Sequence, residues 1–154
     1  MIETKKTAII LGGSSGLGLA TAHKLAHKGY NLLLVHRDRK SNLAAFDAEV
    51  EKMQANNVTV KTFNRDALKT ETLQEILVEI DQQSISVLVH SIAKGSLKSM
   101  NQNDQLLTKA DIDITIHAMA TSWWEWSSAL VKHNKFSPTA RNIAFTSEGN
   151  TKVW

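Results

Sequence analysis

A chain of 154 residues suits one domain with a core of its own, and 42% hydrophobic with 21% charged content excludes the disordered and fibrous classes. The net charge of +3 is mild and scattered, which argues against nucleic acid, and with no cysteine neither a disulfide framework nor thiolate chemistry is open to the chain. The start, MIETKKTAIILGG, lacks a signal peptide's long apolar core, and no apolar run reaches the roughly 18 residues of a membrane span, so a cytoplasmic protein is expected.

In chain order, Thr7–Leu11 is apolar on both faces and reads as a buried parallel strand. The glycine run that follows breaks it, and residues 17–28 turn helical, with Gly18, Ala22, Leu25 and Gly29 along one side. Small residues there let the helix lie close on a sheet. Asn31–His36 is a second buried strand, and residues 41–56 are a helix with Leu43, Phe46, Val50 and Met53 at steps of three and four. Residues 58–63 form a third strand, with Val58, Val60 and Thr62 on one face. Thr70 is expected to cap a helix whose stripe is Leu73, Ile76, Leu77 and Ile80. Residues 86–89 are a fourth strand, residues 94–108 a polar loop, residues 110–133 one long helix, and residues 143–146 a fifth strand after the only proline, Pro138. Strands alternating with helices imply an α/β Rossmann-type fold: a doubly wound parallel sheet in the order 3-2-1-4-5, forming one domain over residues 1–154. A ligand crevice is expected between strands 1 and 4, where the order reverses.

The glycine run sits where such a crevice needs it. Gly12 and Gly16 permit a tight turn and a close backbone approach to a pyrophosphate, and the N–H groups at the helix start then face the anion. Ser14 and Ser15 add hydroxyl donors. A phosphate-binding P-loop is excluded by the missing Gly-Lys-Ser/Thr, and a methyltransferase loop is disfavoured by the G-x3-G-x-G spacing.

The run Gly12-x3-Gly16-Leu17-Gly18 resembles the cofactor motif of the short-chain dehydrogenase/reductase family, and further landmarks fall in register. Asp66-Ala67 looks like the family's adenine-contacting pair. His90-Ser91-Ile92-Ala93 stands where most members have Asn-Asn-Ala-Gly, in a form similar to the enoyl-acyl-carrier-protein reductase branch. The resemblance covers essentially the whole chain and implies a bound dinucleotide. At the end of the second strand the family's NAD-selecting acid position falls on His36, and the next residue, Arg37, is a common NADP marker, which Arg39 would reinforce. Asp38 lies 20 residues past Gly18, where an acidic selector of NAD is often found, so NADP(H) is favoured with NAD left open.

The resemblance also implies a Tyr-x3-Lys pair that moves a proton while hydride passes to or from the nicotinamide, with a Ser or Thr holding the substrate oxygen. The only tyrosine here is Tyr30, at the start of the second strand, and no Tyr-x3-Lys occurs. Thr146-Ser147-Glu148-Gly149 is the nearest match to the Ser landmark, making Thr146 and Ser147 the catalytic candidates. The family's Tyr lies further along, so the chain reads as an N-terminal, cofactor-binding portion, incomplete at its C-terminus. No metal site is expected: His23 and His27 share a helix face without the acid of H-E-x-x-H. His117 falls where relatives place an Asn that organises a relay water, or else packs its helix; His90 lines the nicotinamide pocket or simply ends a strand.

Two functional readings follow. One is an NAD(P)(H)-dependent oxidoreductase acting on a small-molecule carbonyl or enoyl thioester; the other is a non-catalytic nucleotide-binding module. Self-association is expected through helix 110–133. Its stripe of Ile112, Ile116, Met119, Trp123, Trp126 and Leu130 would cover the sheet, while Ile114, Ala118 and Trp124 form a second apolar side.

Overall fold

In a computed structural model that describes residues 6–100 and 106–145, five parallel strands form one sheet in the order β3-β2-β1-β4-β5. These are β1 (Thr7–Leu11), β2 (Asn31–His36), β3 (Val60–Asn64), β4 (Ile85–His90) and β5 (Phe136–Ala144). The helices are α1 (Gly16–His27), α2 (Lys40–Gln54), α3 (Thr70–Val78), α4 (Lys109–Ile116) and α5 (Ser122–Lys132), the last two joined by a π turn, His117–Thr121. The doubly wound arrangement and its strand order are those the alternating pattern implies.

The double-sided apolar runs explain the layers. Ala8 and Ile10 of β1 face one core, with Ala22 and Ala26 of α1 and Phe46 and Met53 of α2; Ile9 and Leu11 face the other, with Ile76 and Leu77 of α3 and Trp126 and Leu130 of α5. All four of these β1 side chains are completely buried, as central parallel strands with helices on both faces require. Among the described residues no helix is long and apolar enough to cross a membrane.

Several expectations are corrected. Thr70 does not cap α3: Lys69 holds that position, and no side chain bonds the first turn. The third strand begins at Val60 and buries Val60 and Phe63 while Thr62 stays exposed, because β3 is an edge strand covered unevenly. The fifth strand starts earlier, at Phe136, and Pro138 lies inside it. Phe136 pairs with Ile85 and Arg141 with Val87, so residues 137–140 bulge out of register there and Pro138 is not asked to extend a regular ladder.

The single helix of residues 110–133 is interrupted. At the π turn the Ser122 N–H reaches back five residues to the His117 carbonyl, and the face set against the sheet becomes Ala118, Ser122, Trp126 and Leu130. Ala118, assigned to the outer side, is therefore fully buried, while Ile112, Ile116 and Met119, assigned to the sheet side, are exposed. Described residues on either side of positions 101–105 are tied to the start of α4. Thr108 and Asp111 form a capping box, and Lys98 bonds Asp111 at 2.9 Å. The Thr108 hydroxyl and backbone N–H, with Lys98, hold the Asp111 carboxyl well below the usual carboxylate range.

Candidate functional site

β1 and β4 are neighbours whose following segments leave in opposite directions, and a cleft of about 510 Å³ opens at their C-terminal ends. Its floor is the glycine turn. Gly12 adopts φ +83°, and its N–H donates to the Val35 carbonyl at 2.8 Å, so the turn hangs from the end of β2. The Ser91 N–H donates to the Leu11 carbonyl at 2.8 Å, and a Cβ added at Gly12 would lie 2.3 Å from the Ser91 oxygen. β4 therefore presses on the turn so closely that only glycine fits. Gly18 does a different job. A Cβ there would meet the Gly12 oxygen at 2.0 Å, so Gly18 seats α1 on the turn and does not itself line the cleft. Gly16, at φ +52°, lines the cleft with nothing within 4 Å of where its Cβ would be. Ser14, Ser15 and Leu17 complete the floor. Ser15 takes the N-cap position of α1 without accepting a side-chain bond from its first turn, which leaves the positive end of that helix facing the cleft.

One wall comes from the ends of β2 and β3. His36, Arg37 and Asp38 stand there with Arg65, Asp66, Ala67 and Leu68. Arg37 Nη1 is 2.9 Å from Asp66 Oδ2, while Asp66 Oδ1 accepts the Leu68 N–H at 3.0 Å. His36 is buried against the Phe46 ring (centroids 4.5 Å apart), and its Nδ1 lies 2.9 Å from Asp38 Oδ2. The chain after β3 is held from beneath by two helical side chains: Trp126 Nε1 donates to the Ala67 carbonyl at 2.9 Å, and His117 Nε2 donates to the Leu68 carbonyl at 3.2 Å.

The opposite wall is His90, Ser91, Ile92, Ala93 and Lys94, with Met119 and Phe145. His90 both ends β4 and lines the cleft. Its Nε2 is 2.9 Å from the Ser122 hydroxyl, which itself donates to the Ala118 carbonyl at 3.0 Å. That assignment makes His90 Nε2–H the donor. Burial pushes the His90 imidazole below the usual histidine pKa, against smaller opposing effects of hydrogen bonds to backbone at His90 and Ala118, so the ring is neutral at neutral pH.

Of the candidates read from the sequence, Gly12, Ser14, Ser15, Gly16, Leu17, His36, Arg37, Asp66, Ala67, His90, Ser91, Ile92 and Ala93 meet around this cleft. Thr146 and Ser147 lie outside the described residues. Tyr30 packs at the N-terminal end of β2, away from the cleft, and His23 bonds Glu49 of α2 at 2.7 Å, not His27. Val35, Arg65, Leu68, Lys94, Met119 and Phe145 also line the cleft and were not among those candidates. Phe145 falls within the fifth strand expected at residues 143–146, and its N–H continues the ladder to the His90 carbonyl at 3.3 Å, so the end of that strand was the signal for it; Met119 is delivered by the π turn, which has no signature in the apolar pattern.

The uncapped helix start and the open surface at Gly16 could hold a nucleotide's phosphates, and the polar wall at Arg37 and Asp66 could hold its adenosine. Residues 6–152 match the short chain dehydrogenase family. The chain is 27% identical over 126 residues to human 17-beta-hydroxysteroid dehydrogenase type 3, covering 82% of this chain and 39% of that enzyme. It is 30% identical over 96 residues to a 3-oxoacyl-(acyl-carrier-protein) reductase of Staphylococcus epidermidis, covering 60% and 38% respectively. It thus spans less than half the length of both relatives. A short-chain dehydrogenase of Sphingobium yanoikuyae, solved in complex with NADPH, superimposes with a TM-score of 0.69 at 23% identity, over 93% of this chain and 54% of that one. A match running nearly end to end, on the strand order that the sequence had implied, makes this chain a member of the short chain dehydrogenase family.

Proposed function

We propose that the cleft binds NADP(H) in preference to NAD(H), and that the chain is the cofactor-binding portion of an oxidoreductase acting on a carbonyl or an enoyl thioester. The observation that carries the cofactor preference is Arg37, whose guanidinium lies on the cleft wall beside Asp66. A planar, permanently charged fork there suits a 2′-phosphate and has no use for a plain ribose hydroxyl. The first turn of α1, with the Ser14 and Ser15 hydroxyls, would hold the pyrophosphate. Asp66 and the backbone at Ala67 would receive the adenine, and His90 to Ala93 would border the nicotinamide. The bound cofactor supplies or accepts a hydride. On the protein side, neutral His90 holds its proton on Nε2 toward Ser122, and the roles implied for Thr146 and Ser147 are to orient the substrate oxygen.

Calorimetric titration tests the reading: NADPH should bind more tightly than NADH. Arg37→Ala should weaken NADPH by about 1.5 kcal/mol, the low end for bonds to charged groups, because 63% of this side chain is open to solvent. NADH binding as tightly as NADPH would remove the assignment.

Self-association through α4 and α5 belongs to the same proposal. Ile112, Ile114, Ile116, Trp124 and Val131 are all exposed on these helices, apolar surface that a second copy would cover.

A further inference from the structure

The end of β2 carries two opposed selectors. Arg37 suits a 2′-phosphate, whereas a carboxylate such as Asp38 accepts bonds from ribose hydroxyls and repels phosphate. Both line the cleft. Their surroundings differ in a way that decides between them. The Asp38 backbone is clamped on both sides by Asn64, whose Oδ1 accepts the Asp38 N–H at 3.1 Å and whose Nδ2 donates to the Asp38 carbonyl at 3.2 Å. With the backbone fixed, the carboxylate's direction is set by its side-chain partner. That partner is His36 Nδ1, 2.9 Å from Asp38 Oδ2.

His36 is a rigid partner. Only 2% of its side chain is exposed, and its ring lies on Phe46 of α2 with an interplanar angle of 56°. A buried, immobilised donor loses little entropy on bonding the carboxylate, and a ribose hydroxyl arriving from water must displace it. Arg37 has no such anchor: its partner Asp66 stands at the cleft itself, and its side chain is largely in solvent.

We infer that His36 is a positioning residue for cofactor choice: it holds the Asp38 carboxylate off the ribose and thereby leaves Arg37 as the effective selector. The inference rests on the cleft being a dinucleotide site.

Dissociation constants for NADPH and NADH, measured by titration on the purified chain, give a ratio that general damage to the fold would not move selectively. His36→Phe keeps the packing against Phe46 and removes the donor; the preference for NADPH over NADH should fall on the order of tenfold, the scale of one bond to a charged group. Adding Asp38→Asn should restore the ratio, since the freed carboxylate is gone, and His36→Gln, which retains a donor, should keep it near wild type. A ratio unmoved in His36→Phe, or a shift that survives Asp38→Asn, overturns the inference. Should His36→Phe not fold, Asp38→Asn alone decides. A masked carboxylate predicts a ratio within about threefold of wild type; a rise of about tenfold means that Asp38 was already opposing the phosphate, and the inference falls. If the wild-type chain binds neither dinucleotide, or prefers NADH, the cofactor reading falls and takes this inference with it. If it prefers NADPH and the variants leave the ratio alone, only the role of His36 is lost.

Discussion

Alanine at each of three glycines separates what the glycine turn does for the fold from what it does for the ligand. At Gly18 the new Cβ would sit 2.0 Å from the Gly12 oxygen and 3.2 Å from the Ser91 Cβ, against a comfortable carbon–oxygen contact of about 3.3 Å. The obstacle is backbone, so α1 must lift off the turn, at a cost near the top of the overpacking range, about 3 kcal/mol. Ala gains about 1 kcal/mol over Gly inside a helix, which leaves a net loss of about 2 kcal/mol. At Gly12 the contact with the Ser91 oxygen is 2.3 Å and φ is +83°. Overpacking of about 3 kcal/mol and left-handed strain of about 1–2 kcal/mol then add, a large share of the stability of an ordinary domain. At Gly16 nothing lies within 4 Å of the new Cβ, so only the left-handed strain remains, about 1 kcal/mol. That Cβ does, however, project from a residue lining the cleft, where a phosphate must approach the backbone.

Urea denaturation should therefore rank the losses Gly12→Ala, then Gly18→Ala, then Gly16→Ala. Titration with NADPH should show Gly16→Ala, still folded, binding at least about tenfold more weakly, the equivalent of about 1.4 kcal/mol. Two results would refute the reasoning: a Gly16→Ala protein as destabilised as Gly18→Ala, or one that folds and binds NADPH like wild type.

Two other perturbations test separate features. Because burial holds the His90 pKa below the usual histidine value, the unfolded chain binds this proton more readily than the folded one. Stability should be full above about pH 6.5 and fall as the pH drops toward the depressed folded value, by at most about 1.4 kcal/mol per pH unit. Urea melts of wild type and His90→Asn between pH 7 and 5 should show the slope flattened in the variant, and equal slopes would mean that another group titrates. Light scattering at micromolar concentration should find the wild type self-associated and Trp124→Glu less so, Trp124 being 67% exposed on α5; a wild-type monomer would remove these helices as the contact.

Much of the fold is legible where one local rule settles it. β1 and β2 fall on the residues expected because TAIIL and NLLLVH are apolar on both faces and stop at glycine or charge. Parallel topology then carries the site: if every strand ends at the same edge, then the residues just past Leu11, His36, Asn64 and His90 must converge, whatever their contacts. What escapes is set by tertiary partners. The i, i+3, i+4 stripe over residues 110–133 describes a regular helix, and a π turn adds a residue to one turn without altering composition. Trp123 and Asn142 illustrate the same limit: their bond of 2.6 Å ties α5 to β5, across a register that the bulge at residues 137–140 fixes and the sequence pattern does not.

The π turn also bears on how the cleft is held open. In a regular helix the Ser122 N–H would bond the Ala118 carbonyl; here it goes one residue further back, to His117. The Ala118 carbonyl instead receives the Ser122 hydroxyl, and that hydroxyl's oxygen receives His90 at the end of β4. One residue earlier, His117 bonds the Leu68 carbonyl after β3 while its other ring nitrogen meets the Thr121 hydroxyl at 3.1 Å. The π turn and the Ser122 that follows it thus grip the wall that carries Asp66 and the wall that carries His90. A regular α-helix over these residues would rotate His117 and Ser122 relative to one another by about 100°, the angle of one residue, and they could no longer reach both walls at once. The order of strands in the sheet sets how far apart the two walls stand, and the irregularity in the helix lets one stretch of chain brace both of them.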